Sequence, residues 1–145
     1  MVGKQKQFVV FLIDSDEYGA DINKVTIIER MLNVTRVPKT PPYIKGVVNL
    51  RGDVIPMMDL RTRFGLPEKE ADDDTRIIIV EVDGISYGII VDSVLEVLQI
   101  DESDIENVSG FSNINADYVN GVAKSDTRLI TLLNVEKLIS EFIAT

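Results

Sequence analysis

The strongest constraint on this chain is that it states one pattern twice. Residues 8–31 read FVVFLIDSDEYGADINKVTIIERM, and residues 77–100 read IIIVEVDGISYGIIVDSVLEVLQI. They align without a gap, so that Asp14, Tyr18, Gly19 and Val25 fall on Asp83, Tyr87, Gly88 and Val94. A second pair of blocks comes after each in the same order, YIKGVVNLRGDVIPMMDLRTRF at 43–64 and YVNGVAKSDTRLITLLNVEKLI at 118–139. Here Tyr43, Gly46, Val47 and Ile55 fall on Tyr118, Gly121, Val122 and Ile130. Two blocks repeated in order imply one structural unit used twice. What repeats is a scaffold, so function is to be sought where the copies differ.

The length of 145 residues fits one domain, 1–145, or two small subdomains sharing a core. Apolar residues make up 45%, enough to fold without staples. The chain has no cysteine, which excludes disulfides and thiolate chemistry and is compatible with the cytosol. It has no histidine, so the commonest general base, transition-metal ligand and near-neutral proton switch are missing. A formal charge of −9 argues against nucleic acid and against an anionic membrane surface as partners. No apolar run approaches the ~20 residues that span a bilayer, so a cytoplasmic protein with no direct membrane insertion is expected.

The second copy shows the local structure most clearly. Two β-rich runs, 77–82 and 85–91, flank Asp83-Gly84, and Asp-Gly supplies the positive φ that a type I′ hairpin turn requires. The first copy is read the same way around residues 14–17. Residues 22–32 allow either a short helix or a bent strand, whereas 91–98 are β-branched enough for a strand. Residues 34–37 read as a strand closed by Pro38, followed by the stiff loop PKTPPY. A further hairpin turns at Arg51-Gly52, and its counterpart turns within 124–127. Asp59 and Asn134 hold matching positions as N-caps. The helix after Asn134 carries an apolar stripe at Val135, Leu138, Ile139, Phe142 and Ile143. The run 67–76 is acidic and reads as a solvated linker. The expected fold is mainly β: two SH3-like five-stranded barrels around a shared core, over roughly 8–66 and 77–143, with short helices including one at the C-terminus.

Several motifs carry less than they suggest. Asp14-Ser-Asp16-Glu-Tyr18-Gly19 opens like a calcium loop, but Tyr18 and Val25 stand where ligands are needed. Arg51-Gly52-Asp53 spells an adhesion tripeptide, yet its place in the repeat is a hairpin tip, where Arg51 is either an exposed turn residue or a charge presented to a partner. Asp101, Glu102 and Asp104 fit the first turn of a short helix. No serine has a base to activate it, and there is no phosphate loop. Ile27 lies off the 22/25/28/32 stripe and could join an apolar patch with Val25 and the 91–97 strand.

Taken in order, Y-G-x-D-I-x-x-V, V-P-x-x-P-x-Y-I-x-G-V-V-N-L-R-G-x-V-I-P-x-x-D-L-R and Y-G-I-I-V-D-x-V-x-E-V-L make residues 8–143 closely resemble the CheW-like domain family of bacterial chemotaxis. The resemblance implies two SH3-like barrels, no enzymatic activity, no metal and no cofactor. It implies a cytoplasmic adaptor, a monomer on its own, recruited to membrane-associated receptor arrays. The adaptor joins the cytoplasmic tips of methyl-accepting chemotaxis receptors to the regulatory domain of the histidine kinase CheA, so that receptor state controls autophosphorylation. On that likeness, Val25, Ile27, Val91, Val94 and Val97 line the receptor groove between the subdomains. Pro38, Tyr43, Ile44, Leu50, Arg51 and Gly52 face the kinase. The family usually has V-x-E-I where this chain has Val25-Thr26-Ile27-Ile28, which implies a more hydrophobic receptor contact. Two other readings remain: a double barrel that binds a small molecule in a deep polar pocket, and a detached regulatory domain of a kinase.

Overall fold

A computed structural model describes residues 4–107 and 118–143 of the chain, with the side chains of 141–143 excepted. The strands are β1 (Gln5–Ile13), β2 (Asp16–Asp21), β3 (Val25–Arg30), β4 (Ile44–Leu50), β5 (Asp53–Asp59), β6 (Arg76–Val82), β7 (Ile85–Val91), β8 (Ser93–Asp101), β9 (Ile105–Glu106), β10 (Val119–Ser125) and β11 (Arg128–Leu133). The helices are α1 (Leu60–Arg63) and α2 (Val135–Ile143), and 3₁₀ turns occupy Ile22–Lys24 and Glu102–Asp104. The segment 22–32, whose sequence is compatible with helix or strand, is a strand after one 3₁₀ turn. Phe142 and Ile143 of the expected helical stripe lie outside the described side chains.

The strands form two sheets, ordered β8-β1-β2-β11-β10-β9 and β3-β6-β7-β5-β4. Sheets and sequence repeats do not coincide, which corrects the expectation of barrels over 8–66 and 77–143. The hairpin β1–β2 of the first repeat sits in the sheet of the second, and β6–β7 sits in the sheet of the first. The exchange is possible because the strands are two-faced. Along β1, Phe8 and Val10 join one buried cluster, while Val9, Phe11 and Ile13 join another. Along β6, Ile77 and Ile79 divide from Ile78 and Val80 in the same way. A strand buried on both faces reads as an unbroken apolar run, as FVVFLI and IIIV do.

Three cores result. Phe8, Val10, Ile100, Ala123, Ile130 and Leu132 fill the first barrel. Val48, Ile55, Met57, Ile77, Ile79 and Ile90 fill the second. The third and largest lies between the barrels, where Phe11, Met58, Ile78, Tyr87, Ile89, Leu138 and Ile139 are among its members. Ile27 and Leu50, from the opposite edge strands β3 and β4, pack on the same second-barrel cluster, which curls that sheet closed.

The repeat is also a spatial symmetry. Leu132 on β11 pairs in parallel with Gly19, and its counterpart Met57 on β5 pairs in parallel with Gly88. A Cβ on Gly19 would lie 2.9 Å from Leu132, and one on Gly88 would lie 2.2 Å from the Met57 sulfur. The two Tyr-Gly pairs of the repeat thus mark where one barrel's last strand presses on the exchanged hairpin. Asp83 and Gly84 both have positive φ, 53° and 79°, as the type I′ turn requires. The expected strand at 34–37 reduces to a bridge between Thr35 and Val47. That bridge is the counterpart of the pairing of Glu106 with Val122.

Candidate functional site

The turn between β4 and β5 is two residues long, Arg51-Gly52, with φ of 55° and 89°. Asn49 fastens it by accepting the Gly52 N–H at 3.2 Å. Its geometry places the Arg51 side chain 76% in solvent, with the Glu29 carboxylate of the facing edge strand 4.0 Å away. Arg51 is therefore presented rather than packed. Leu50, beside it, is half-buried against the second-barrel core.

The six residues expected to face the kinase separate along β4. Leu50, Arg51 and Gly52 stand at its end. Ile44 stands at its start, about 20 Å away at ~3.3 Å per residue, where it lines an open notch with Pro38. Tyr43 belongs to neither group. It packs on the shared core, and its carbonyl accepts the Asp59 N–H at 2.7 Å. Its repeat partner Tyr118 accepts the Asn134 N–H at the same 2.7 Å. The Arg63 guanidinium lies 5.2 Å from the Tyr43 ring and 4.9 Å from the Tyr118 ring, a cation held between repeat-related aromatics. Tyr43 thus has a packing role beside the contact expected of it, and the repeat itself was the available signal.

The expected receptor groove also sorts itself by geometry. Val25 and Val94, repeat partners, both pack partly on the shared core. Val91 is 1% exposed and lies within that core, so it is not a surface residue. Ile27 was expected to face outward, but it points into the second barrel, opposite Ile79. The cause is a β-bulge: Val25 pairs with Val80 and Ile27 with Ile79, which leaves Thr26 as the extra residue and switches the face of the residues after it. Ile28, opposite Ile78, takes the outward place. The second repeat has the same bulge, with Val94 opposite Phe11, Glu96 opposite Val10 and Val97 opposite Val9. Ile28 is thus the counterpart of Val97, and Val97 is 49% exposed. The apolar side chains that β3 and β8 leave partly or largely exposed include Val25, Ile28, Val94, Leu95 and Val97, with Ile27 turned inward.

Two charged clusters hold the barrels in place. Arg61, from α1, donates from Nη1 to Asp92 at 2.7 Å and to Asp14 at 3.3 Å, and from Nε to the Pro67 carbonyl at 2.9 Å. Asp92 also accepts the Asp14 N–H at 2.7 Å. This cluster joins the β1–β2 turn, the end of β7 and the start of the linker. Sequence reading missed it, although Arg61 and Asp92 stand in the quoted D-L-R and Y-G-I-I-V-D stretches. The counterpart of Arg61 is Glu136, which pairs with Lys24 at 2.7 Å, the same join with the charges reversed. That hydrogen bond raises the Lys24 ammonium above its usual range and holds the Glu136 carboxyl below its own. In the first barrel, Arg128 grips Glu17 through Nε at 3.0 Å and Glu96 through Nη1 at 3.0 Å. The Glu17 hydrogen bond is the main force raising Arg128.

The acidic linker is solvated as expected, exposed at every residue from 67 to 74, and a few polar contacts tether it. Lys45 lies 3.4 Å from Glu68, Lys69 lies 3.3 Å from Asp72, and Thr75 is buried. The Asp74 N–H, then Lys69, hold the Asp72 carboxyl below its usual range. Glu102 and Asp104 lie in the 3₁₀ turn expected there, and Asp101 stands just before it as the cap, accepting the Ser103 N–H at 3.0 Å. Among the described residues no cluster of three or more Asp or Glu could hold a metal ion, and no helix is long and apolar enough to cross a membrane.

Comparison with known proteins agrees with this geometry. The profile of the CheW-like domain matches residues 7–142. The chemotaxis protein CheW of Helicobacter pylori is 36% identical over 135 residues, 93% of this chain and 82% of that protein. The chemotaxis protein CheW of Bacillus subtilis is 36% identical over 137 residues, 94% and 88% of the two chains. The crystal structure of the scaffolding protein TtCheW from Thermoanaerobacter tengcongensis superposes with a TM-score of 0.84 at 41% identity, covering 90% of this chain and 89% of that one.

Proposed function

The chain belongs to the CheW-like domain family, and from that premise we propose that it is a non-catalytic chemotaxis adaptor that binds the regulatory domain of the histidine kinase CheA and the cytoplasmic tips of chemoreceptors. It would work in the cytoplasm, within receptor arrays. The observation that carries this reading is the presentation of Arg51. A left-handed φ on a non-glycine residue costs conformational energy, and here it projects a guanidinium into solvent from a rigid two-residue turn. Arginine is a frequent interface hot spot. The receptor tip, a helical hairpin, would lay apolar side chains against Val25, Ile28, Val94 and Val97. Ile28 stands there in place of Ile27, and the buried Val91 supports the face from behind. No specific observation favours a small-molecule site.

Calorimetric titration of the full chain with full-length kinase is expected to show saturable one-to-one binding. Arg51→Ala should weaken that binding about tenfold or more, ~1.4 kcal/mol, and leave the melting temperature unchanged. Wild-type affinity in a folded Arg51→Ala chain would refute the role given to Arg51.

A further inference from the structure

The connection from β3 to β4 forms a notch of about 340 Å³ lined by Arg36, Pro38, Lys39, Ile44, Lys45 and Glu68, among others. Its charge runs against that of the whole chain. The protein has 24 acidic and 15 basic residues, so most of its cations find carboxylates. Lys45 is one of these, 3.4 Å from Glu68 and 3.8 Å from Asp59. Arg36 and Lys39 are different: both are exposed, and among the described residues neither has a carboxylate within ion-pairing distance.

The notch is also rigid. Pro38, Pro41 and Pro42 each restrict the backbone. The Thr40 hydroxyl donates to the Val37 carbonyl at 3.1 Å, and the Ile44 N–H donates to the Pro41 carbonyl at 2.9 Å. Lys39 is held at a φ of 63°, a conformation that a lysine adopts only when its surroundings impose it. Two unpaired cations on a preorganised loop lose little entropy when they bind an anion.

We infer that this notch receives an acidic segment of the kinase's regulatory domain, with Arg36 and Lys39 meeting its carboxylates. The inference rests on the adaptor reading and names a chemical contact within it. Pro38 and Ile44, two of the residues expected to face the kinase, line the same notch, about 20 Å along β4 from Arg51. A polyanion such as nucleic acid is disfavoured, because the net charge of −9 repels it everywhere else. A short acidic loop feels mainly the local cations.

The test is calorimetry with full-length kinase at two ionic strengths, using wild type, the double variant Arg36→Glu with Lys39→Glu, and the conservative double Arg36→Lys with Lys39→Arg. The charge-reversed chain should bind about tenfold or more weakly at ~50 mM salt and about threefold or less weakly at ~500 mM. The conservative double should bind like wild type. Both variants should melt like wild type, because both side chains are exposed. Binding by the charge-reversed chain with wild-type affinity and salt dependence would overturn this inference alone. Failure of wild type to bind the kinase would overturn the adaptor reading and this inference with it.

Discussion

Replacing Gly46 by alanine should unfold this protein more readily than any surface change, lowering its melting temperature by on the order of 10 °C for a loss of ~3 kcal/mol or more. Gly46 has a φ of 145°, where L side chains rarely go. A Cβ there would lie 2.0 Å from the Thr35 carbonyl oxygen, 2.7 Å from its carbon and 2.9 Å from the Arg36 Cα. All three are backbone atoms, so no rotamer change relieves the clash. The segment they belong to forms the short bridge that covers β4, with N–H···O contacts of 2.8 Å in both directions between Thr35 and Val47. Alanine must break that bridge or displace β4. Gly52→Ala is the control: its φ of 89° is also unfavourable, but nothing lies within 4 Å of the added atom. It should cost only ~1–2 kcal/mol. Equal melting of the two variants would show that close backbone approach is not what position 46 requires.

Breaking the Arg61 cluster should cost ~3 kcal/mol. The Arg61 and Asp92 side chains are each only 12% exposed, so Arg61→Met strands a carboxylate away from solvent. The remedy is to remove the charge left behind. Adding Asp92→Asn to Arg61→Met should recover part of the loss, because asparagine still accepts the Asp14 N–H. Denaturant unfolding of the two singles and the double gives the coupling. Strict additivity would mean that the pair does not act as a unit. The exposed Lys24–Glu136 pair, its charge-reversed counterpart, should matter far less, since exposed ion pairs contribute little.

The features legible in the chain and those that only its fold reveals divide along a physical line. Local signals were legible. Asp83-Gly84 specified a type I′ turn, Asp59 and Asn134 specified helix caps, and Val135, Leu138 and Ile139 specified a buried helical face. Each depends on a few adjacent residues. The exchange of hairpins was not legible, because two equivalent copies present the same edges and local sequence does not say which copy a strand will join. The repeat implied equivalence and left the partner open. The same limit misplaced Ile27. A period of two assigns faces only while register holds, and the bulge at Thr26 moved Ile27 inward and Ile28 outward. Residues 67–76 read as solvated from composition, and 67–74 are exposed; what composition could not show is that Lys45 and Arg61, distant in sequence, reach Glu68 and the Pro67 carbonyl. Arg51 was legible as a tip residue because a two-residue turn is local. Arg36 was not legible, since its lack of a partner is a property of the folded surface.

Kinase autophosphorylation in the presence of receptor-containing membranes tests the proposed coupling of receptor to kinase. With wild type added, phosphorylation should become dependent on receptor and respond to receptor ligand. With Val97→Asp, at a half-exposed position and with its melting curve checked against wild type, the kinase should still bind but the receptor dependence should fall away. Receptor control of the kinase that is the same with and without this protein would contradict the adaptor role.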